Sequence, residues 1–210
     1  MFVMTSNFKQ IIREEILRQR VAWVTWTLIA VNFISWFMVA WLYDLPLLTV
    51  HNSYVLLRAG AIDGNLLWAG EWWRILTSQF LHVYFLHLIF NMAALALLGA
   101  ALESAFGSLR FALLYLFIGS VGHVLGSIVT PSHVASGASQ AVMGIAGAMA
   151  MILFRRRESG TFIFIVLLAV LTIQLGLDIA VAHTIKLGHW SSLCLGAIMG
   201  YVLSRYPKET

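Results

Sequence analysis

Residues 136–157 read SGASQAVMGIAGAMAMILFRRR. Beyond Ser139 the run is apolar apart from Gln140 until Arg155, sixteen positions on. At about 1.5 Å per helical residue, that gap spans roughly 24 Å of a ~30 Å hydrocarbon core. The serine then lies about 6 Å inside the membrane edge opposite the arginine. Two other residues share this spacing: His189 stands sixteen positions before Arg205, and His87 sixteen before Glu103, the next charge in each case. If the three charges mark one face, a serine and two histidines lie at one depth. Polar side chains are costly there and mark function by default. A serine meeting a histidine inside a membrane suggests a nucleophile and its base.

The rest of the chain supports a membrane reading. Its 210 residues are 60% hydrophobic and only 10% charged, against about 25% charged for a soluble domain. Long uncharged runs recur throughout, which indicates an all-α polytopic membrane protein embedded in a lipid bilayer. The net charge of +4 does not point to nucleic acid, because the basic residues sit at the ends of the apolar runs. Cys194 is the single cysteine, so no internal disulfide forms. The run from Val21 to Tyr43 is too long for a signal-peptide core and reads as a retained first span.

Six spans are expected, at 21–43, 78–101, 110–130, 137–154, 161–181 and 188–204. A cytoplasmic N-terminal segment, 1–20, precedes a six-helix membrane domain, 21–204, with an outer loop at 44–77. A cytoplasmic tail, 205–210, follows. The segment 1–20 reads equally well as a surface helix or a solvated tail. The loop carries Trp68, Trp72 and Trp73, residues that favour the membrane interface. With the N-terminus inside, ten basic residues fall on inner segments (Lys9, Arg13, Arg18, Arg20, Arg110, Arg155, Arg156, Arg157, Arg205, Lys208). Three fall outside: Arg58, Arg74 and Lys186. This bias places both termini in the cytoplasm and the serine level near the outer face. A bacterial inner membrane is the expected location.

Helical spacing then pairs the candidates. His189, Ser192, Gly196 and Gly200 share one face of the sixth span, and Ser139, Met143, Ala146 and Ala150 one face of the fourth. Packing these faces brings Ser139 toward His189, although small residues also crowd helix interfaces for packing alone. His87 and Asn91, at i and i+4, can donate hydrogen bonds to a developing oxyanion. His82 lies about 140° around the helix from His87 and reads as a structural or loop histidine. It and His123 are taken as comparators for generic histidine loss. No HExxH or CxxC is present, and no metal or cofactor is implied. Asp44 and Asp178 reach the outer surface, above the serine level, which argues against an aspartyl pair. A histidine-lined channel or metal-binding membrane protein is the alternative from another class.

Taken together, Trp73-Arg74, His87-Leu-Ile-Phe-Asn91, Gly137-Ala-Ser139-Gln and Gly188-His189 with Gly196 resemble the rhomboid intramembrane serine proteases of minimal six-span form. The resemblance covers about residues 70–204 and the topology of the first span. It implies a rhomboid-like six-helix bundle that cleaves transmembrane protein substrates with a Ser139–His189 dyad. It also implies an oxyanion hole of His87, Asn91 and the Ser139 backbone N–H, with Trp73-Arg74 anchoring the first loop. Three positions depart from the family pattern: Gln140 replaces a common glycine, Met143 a frequent aromatic, and Ser192 a common glycine. A catalytically silent rhomboid-like protein that binds membrane helices would share the same fold.

Overall fold

In hydrocarbon, a backbone N–H or C=O has no water to bond, so long apolar runs satisfy themselves as helices. The computed structural model, which describes residues 22–156, 161–182 and 187–205, is built this way. The helices are α1 (Trp23–Leu42), three short ones in the first loop (α2, Ser53–Ala59; α3, Gly64–Trp68; α4, Arg74–Thr77), and then α5 (Phe85–Phe106), α6 (Ser108–Val129), α7 (Ser139–Arg156), α8 (Thr161–Ala182) and α9 (Leu187–Leu203). Helices α1, α5 and α6 are long and apolar enough to cross a membrane, and α7, α8 and α9 contain shorter apolar stretches. The protein is thus an all-α membrane bundle. The segment 1–20, with its four basic residues, lies outside the described residues, as do Arg157, Lys186 and Lys208.

The second helix begins later than the apolar pattern suggests. Residues 78–80 form a 3-10 turn, and Leu81 and Tyr84 are extended, so α5 starts at Phe85 and reaches Phe106. The segment pairs with the loop through His51 N–H and Val83 O, 2.7 Å apart. Leu81 is apolar because it packs with Val39, Val55, Leu56 and Ala61 in a small core under the loop. Its hydrophobicity therefore reflects loop packing, not a helix.

This shift puts Glu103 inside α5, where it caps another helix. α1 begins after Ala22, which offers no capping side chain. The Glu103 carboxylate instead accepts from Val24 N–H (3.0 Å), Thr25 N–H (2.8 Å), Thr25 Oγ1 (2.8 Å) and Ser108 Oγ (2.7 Å). A negative group at a helix N-terminus satisfies orphan donors and complements the helix dipole.

The first loop is tied down by Arg74, which is buried. Its Nη1 donates to Leu57 O (2.7 Å) and Ala61 O (2.8 Å), and its Nε to Glu71 (2.7 Å). The guanidinium also lies over the Trp73 ring at 4.5 Å. Of the three basic residues expected outside, Arg74 is thus a structural tie. The loop in turn grips the connection between α6 and α7: Ile62 and Ala135 exchange hydrogen bonds of 3.0 and 2.9 Å, and Gly64 N–H donates to Pro131 O at 2.8 Å.

Arg74→Ala leaves two inner carbonyls without their donor. It is expected to cost about 3 kcal/mol, read as a lowered Tm in detergent. Arg58→Ala, at an exposed site, should change stability by no more than about 0.5 kcal/mol. Equal effects would remove Arg74 from its anchoring role.

Candidate active site

Two parallel helices with almost no side-chain bulk between them form the base of the site. A Cβ added at Gly196 of α9 would fall on the Gly144 carbonyl of α7, and one at Gly147 on the Leu193 carbonyl. At Gly200 it would come within 2.7 Å of Ala148. The backbones therefore approach through Gly144, Gly147 and Ala148. The face expected on α7, with Met143, Ala146 and Ala150, is displaced toward the glycines, because only positions lacking side-chain bulk admit a second backbone. Farther along, Arg155 and Arg205 both lie over the Tyr201 ring, at 4.7 and 4.6 Å. Two of the three charges used to gauge depth thus meet at one ring.

At the other end of this pair, Ser139 Oγ stands 2.8 Å from His189 Nε2, with both residues buried. Ser139 opens α7, so its N–H and those of Gln140 and Ala141 have no acceptor within the helix by position. The turn before it is pinned from three sides. Gly137 N–H donates to Ser78 O at 2.9 Å, and Ala138 N–H to His82 Nε2 at 3.4 Å. His123 Nε2 bonds the Gly137 carbonyl at 3.1 Å, which requires the proton on that nitrogen. Burial, and then the neighbouring His87, hold His82 well below the ordinary histidine range, in keeping with its role as a neutral acceptor. His82 and His123 therefore shape the turn that presents the serine, and neither serves as a neutral comparator.

Gly137 has φ +133°, a conformation that favours glycine, and a Cβ there would lie 2.7 Å from His87 Cε1. His87 is thus laid against the turn leading to Ser139. Asn91 is one turn deeper and buried, with its Nδ2 donating to the His87 carbonyl at 2.8 Å. A cavity of about 610 Å³ is lined by His87, Ser139 and His189 together with residues of the first loop. A second, of about 190 Å³, lies between α5 and α8 and is lined by His87, Asn91 and Gln174. The three residues of matched spacing are therefore gathered at one place, while Asn91 lines the adjoining cavity.

A hydroxyl within hydrogen-bond reach of an imidazole nitrogen can serve as an activated nucleophile. Helix N-terminal N–H groups can bind a developing oxyanion. Among the described residues no group of three His, Cys, Asp or Glu side chains is placed to hold a metal ion. Of the departures from the family pattern, Gln140 puts its Oε1 3.1 Å from Ser139 Oγ. Met143 is buried, and Ser192 fills the space beside Gly122 of α6. One residue escaped the sequence reading: Gln174 of α8, whose Nε2 lies 3.2 Å from His189 Nδ1. Its signal was a carboxamide within an otherwise apolar stretch.

The family described as Rhomboid domain matches residues 69–206. The chain is 35% identical over 162 residues to the Bacillus subtilis "Rhomboid protease GluP", covering 75% of this chain and 31% of that protein. It is 30% identical over 205 residues to the Bacillus subtilis "Putative rhomboid protease YdcA", covering 96% of each. It is 29% identical to the Arabidopsis thaliana "RHOMBOID-like protein 6, mitochondrial", over 75% of this chain and 52% of that one. It thus spans about a third of GluP, half of the Arabidopsis protein and nearly all of YdcA.

Gly196→Ala is expected to push α9 away from α7 and open the Ser139–His189 contact. A misplacement near 1 Å costs about 100-fold in reaction at such a site, read as the rate of fluorophosphonate labelling of Ser139. Gly176→Ala, where nothing lies within 4 Å of an added Cβ, should label like the wild type. Normal labelling of the Gly196 variant would show that the close contact does not set the pair's geometry.

Proposed function

This chain belongs to the rhomboid family, and on that premise we propose that it is an intramembrane serine endopeptidase acting on transmembrane helices of other proteins. The observation that carries the reading is the 2.8 Å contact between Ser139 Oγ and His189 Nε2, beside a large cavity. In the reaction, His189 Nε2 takes the Ser139 proton as Oγ attacks the scissile carbonyl carbon. The oxyanion that forms accepts hydrogen bonds from the Ser139 backbone N–H, from His87 and from Asn91, whose amide leaves the His87 carbonyl to reach it. The imidazolium then protonates the leaving amine, and an acyl-enzyme on Ser139 remains. Water entering through the cavity gives a proton to His189 and attacks the ester, releasing the new carboxyl terminus and restoring the serine.

The basic residues favour both termini, including segments 1–20 and 205–210, on the cytoplasmic side of a bacterial inner membrane. The cavity and the cleavage site then face outward. The site requires no cofactor for this chemistry.

Cleavage of a tagged model transmembrane substrate in liposomes tests the dyad. Ser139→Ala should abolish turnover, and His189→Ala should lower it by about 10³ or more. Residues that act as one unit are non-additive, so the double variant should be little worse than either single one. Turnover by folded Ser139→Ala would overturn the reading in favour of a silent helix-binding protein.

Orientation is tested separately in a Cys194→Ser background. Asn65→Cys, exposed in the first loop, should react with a membrane-impermeant maleimide in intact cells, and Glu158→Cys only after lysis. The reverse pattern would turn the protein over.

A further inference from the structure

Four side chains from three helices form one row. Gln174 Nε2 lies 3.2 Å from His189 Nδ1, His189 Nε2 2.8 Å from Ser139 Oγ, and Ser139 Oγ 3.1 Å from Gln140 Oε1. Gln174 projects from the apolar stretch Phe162–Gly176 of α8, where a carboxamide is costly unless it is used. Gln140 stands directly after the serine. Each contact joins groups that can either donate or accept, so the row has a direction.

As the atoms stand, the Gln174 amide donates to Nδ1, Nε2–H donates to Ser139 Oγ, and the serine hydroxyl donates to the Gln140 carbonyl. In this direction Nε2 carries a proton and cannot take another from serine. The opposite direction has the Gln140 amide donating to Oγ, the hydroxyl donating to Nε2, and Nδ1–H donating to the Gln174 carbonyl. Only this second arrangement gives His189 the tautomer that a general base needs. Going from the first to the second turns both carboxamides over. One proton leaves Nε2 for cavity water and one from water arrives at Nδ1, so the net charge is unchanged. The two heavy-atom placements are the same, because carboxamide O and N exchange places without moving the side chain.

We propose that Gln174 and Gln140 are positioning residues that set the direction of this row, and with it whether His189 can accept the Ser139 proton. The inference rests on the proteolytic reading above. Among the described residues, His123 on α6 interacts electrostatically with His189, and His87, His51 and His133 line the same cavity. His123 is bonded to the Gly137 carbonyl and so is committed to the turn.

The test uses the full chain in liposomes, with kcat and KM for the model substrate followed across pH. In Gln174→Glu the carboxylate can only accept from Nδ1–H, which holds the row in the reactive direction and favours the imidazolium. Its acid limb of kcat should move about one unit to higher pH. Gln174→Leu should lower kcat about tenfold with KM nearly unchanged, because the tautomer is no longer fixed. Gln140→Ala removes the competing acceptor and should raise fluorophosphonate labelling of Ser139 severalfold. A Gln174→Glu profile that superimposes on the wild type would overturn the inference, and that size-matched variant carries the test if Gln174→Leu does not fold. The ¹⁵N spectrum of the His189 imidazole, assigned through His189→Asn, gives a second reading without turnover. Gln174→Glu should place the proton on Nδ1, and an unaltered spectrum overturns the inference. Were the wild type itself neither to cleave nor to label, the protease reading would fall, and the spectrum alone would decide the role of Gln174.

Discussion

The backbone-to-backbone contact of α7 and α9 governs the site. Lipid tails are as apolar as leucine, so helices in a membrane gain little by merely hiding apolar surface from one another. They associate where close approach lets many atoms touch, and Gly144, Gly147, Gly196 and Gly200 allow that approach. Running parallel, the two helices fix a common register along their length. Tyr201 receives Arg155 and Arg205 at one end, and Ser139 meets His189 at the other. The distance between two groups fifty residues apart in sequence is therefore set by glycines that touch neither of them.

A second constraint shapes everything around this pair: polar groups in a low-dielectric interior need partners. Opening a helix at Ser139 leaves irregular backbone at residues 136–138, which are buried. The structure satisfies that backbone with Ser78, His82 and His123 at the turn, and with the paired Ile62 and Ala135 behind it. The same logic explains Glu103, which supplies the N-terminus of α1 with the acceptors its own sequence lacks, and Arg74, whose guanidinium gathers loop carbonyls. The geometry of the Ser139–His189 pair and the loop architecture are thus connected. Arg74 holds the loop, the loop holds the turn, and the turn presents the serine.

Much of this was legible before any coordinates. The equal sixteen-residue gaps after Ser139 and His189 anticipated that the two would meet, because helical rise is constant along α7 and α9, whereas the gap after His87 crosses a π-helical turn at Leu95–Gly99. The small residues of the sixth span marked the correct face of α9. Other features were hidden for specific reasons. The start of α5 was masked because Leu81 and Val83 are apolar for the sake of the loop. The α7 face was misaligned because spacing from Ser139 assumes the serine lies within the contact stripe, whereas it sits at the helix's first turn. His82 and His123 looked peripheral because a helical wheel cannot show bonds to an irregular turn. Gln174 was overlooked because its partner, His189, is contributed by a different helix.

The most direct measurement of the central claim is peptide mapping of the fluorophosphonate adduct on the intact, membrane-embedded protein. An activated Ser139 should carry the adduct while Ser136, which lines the same cavity, does not, and the adduct should be lost in His189→Ala. A folded protein that takes up no label, or whose adduct maps elsewhere or survives removal of His189, would contradict the account.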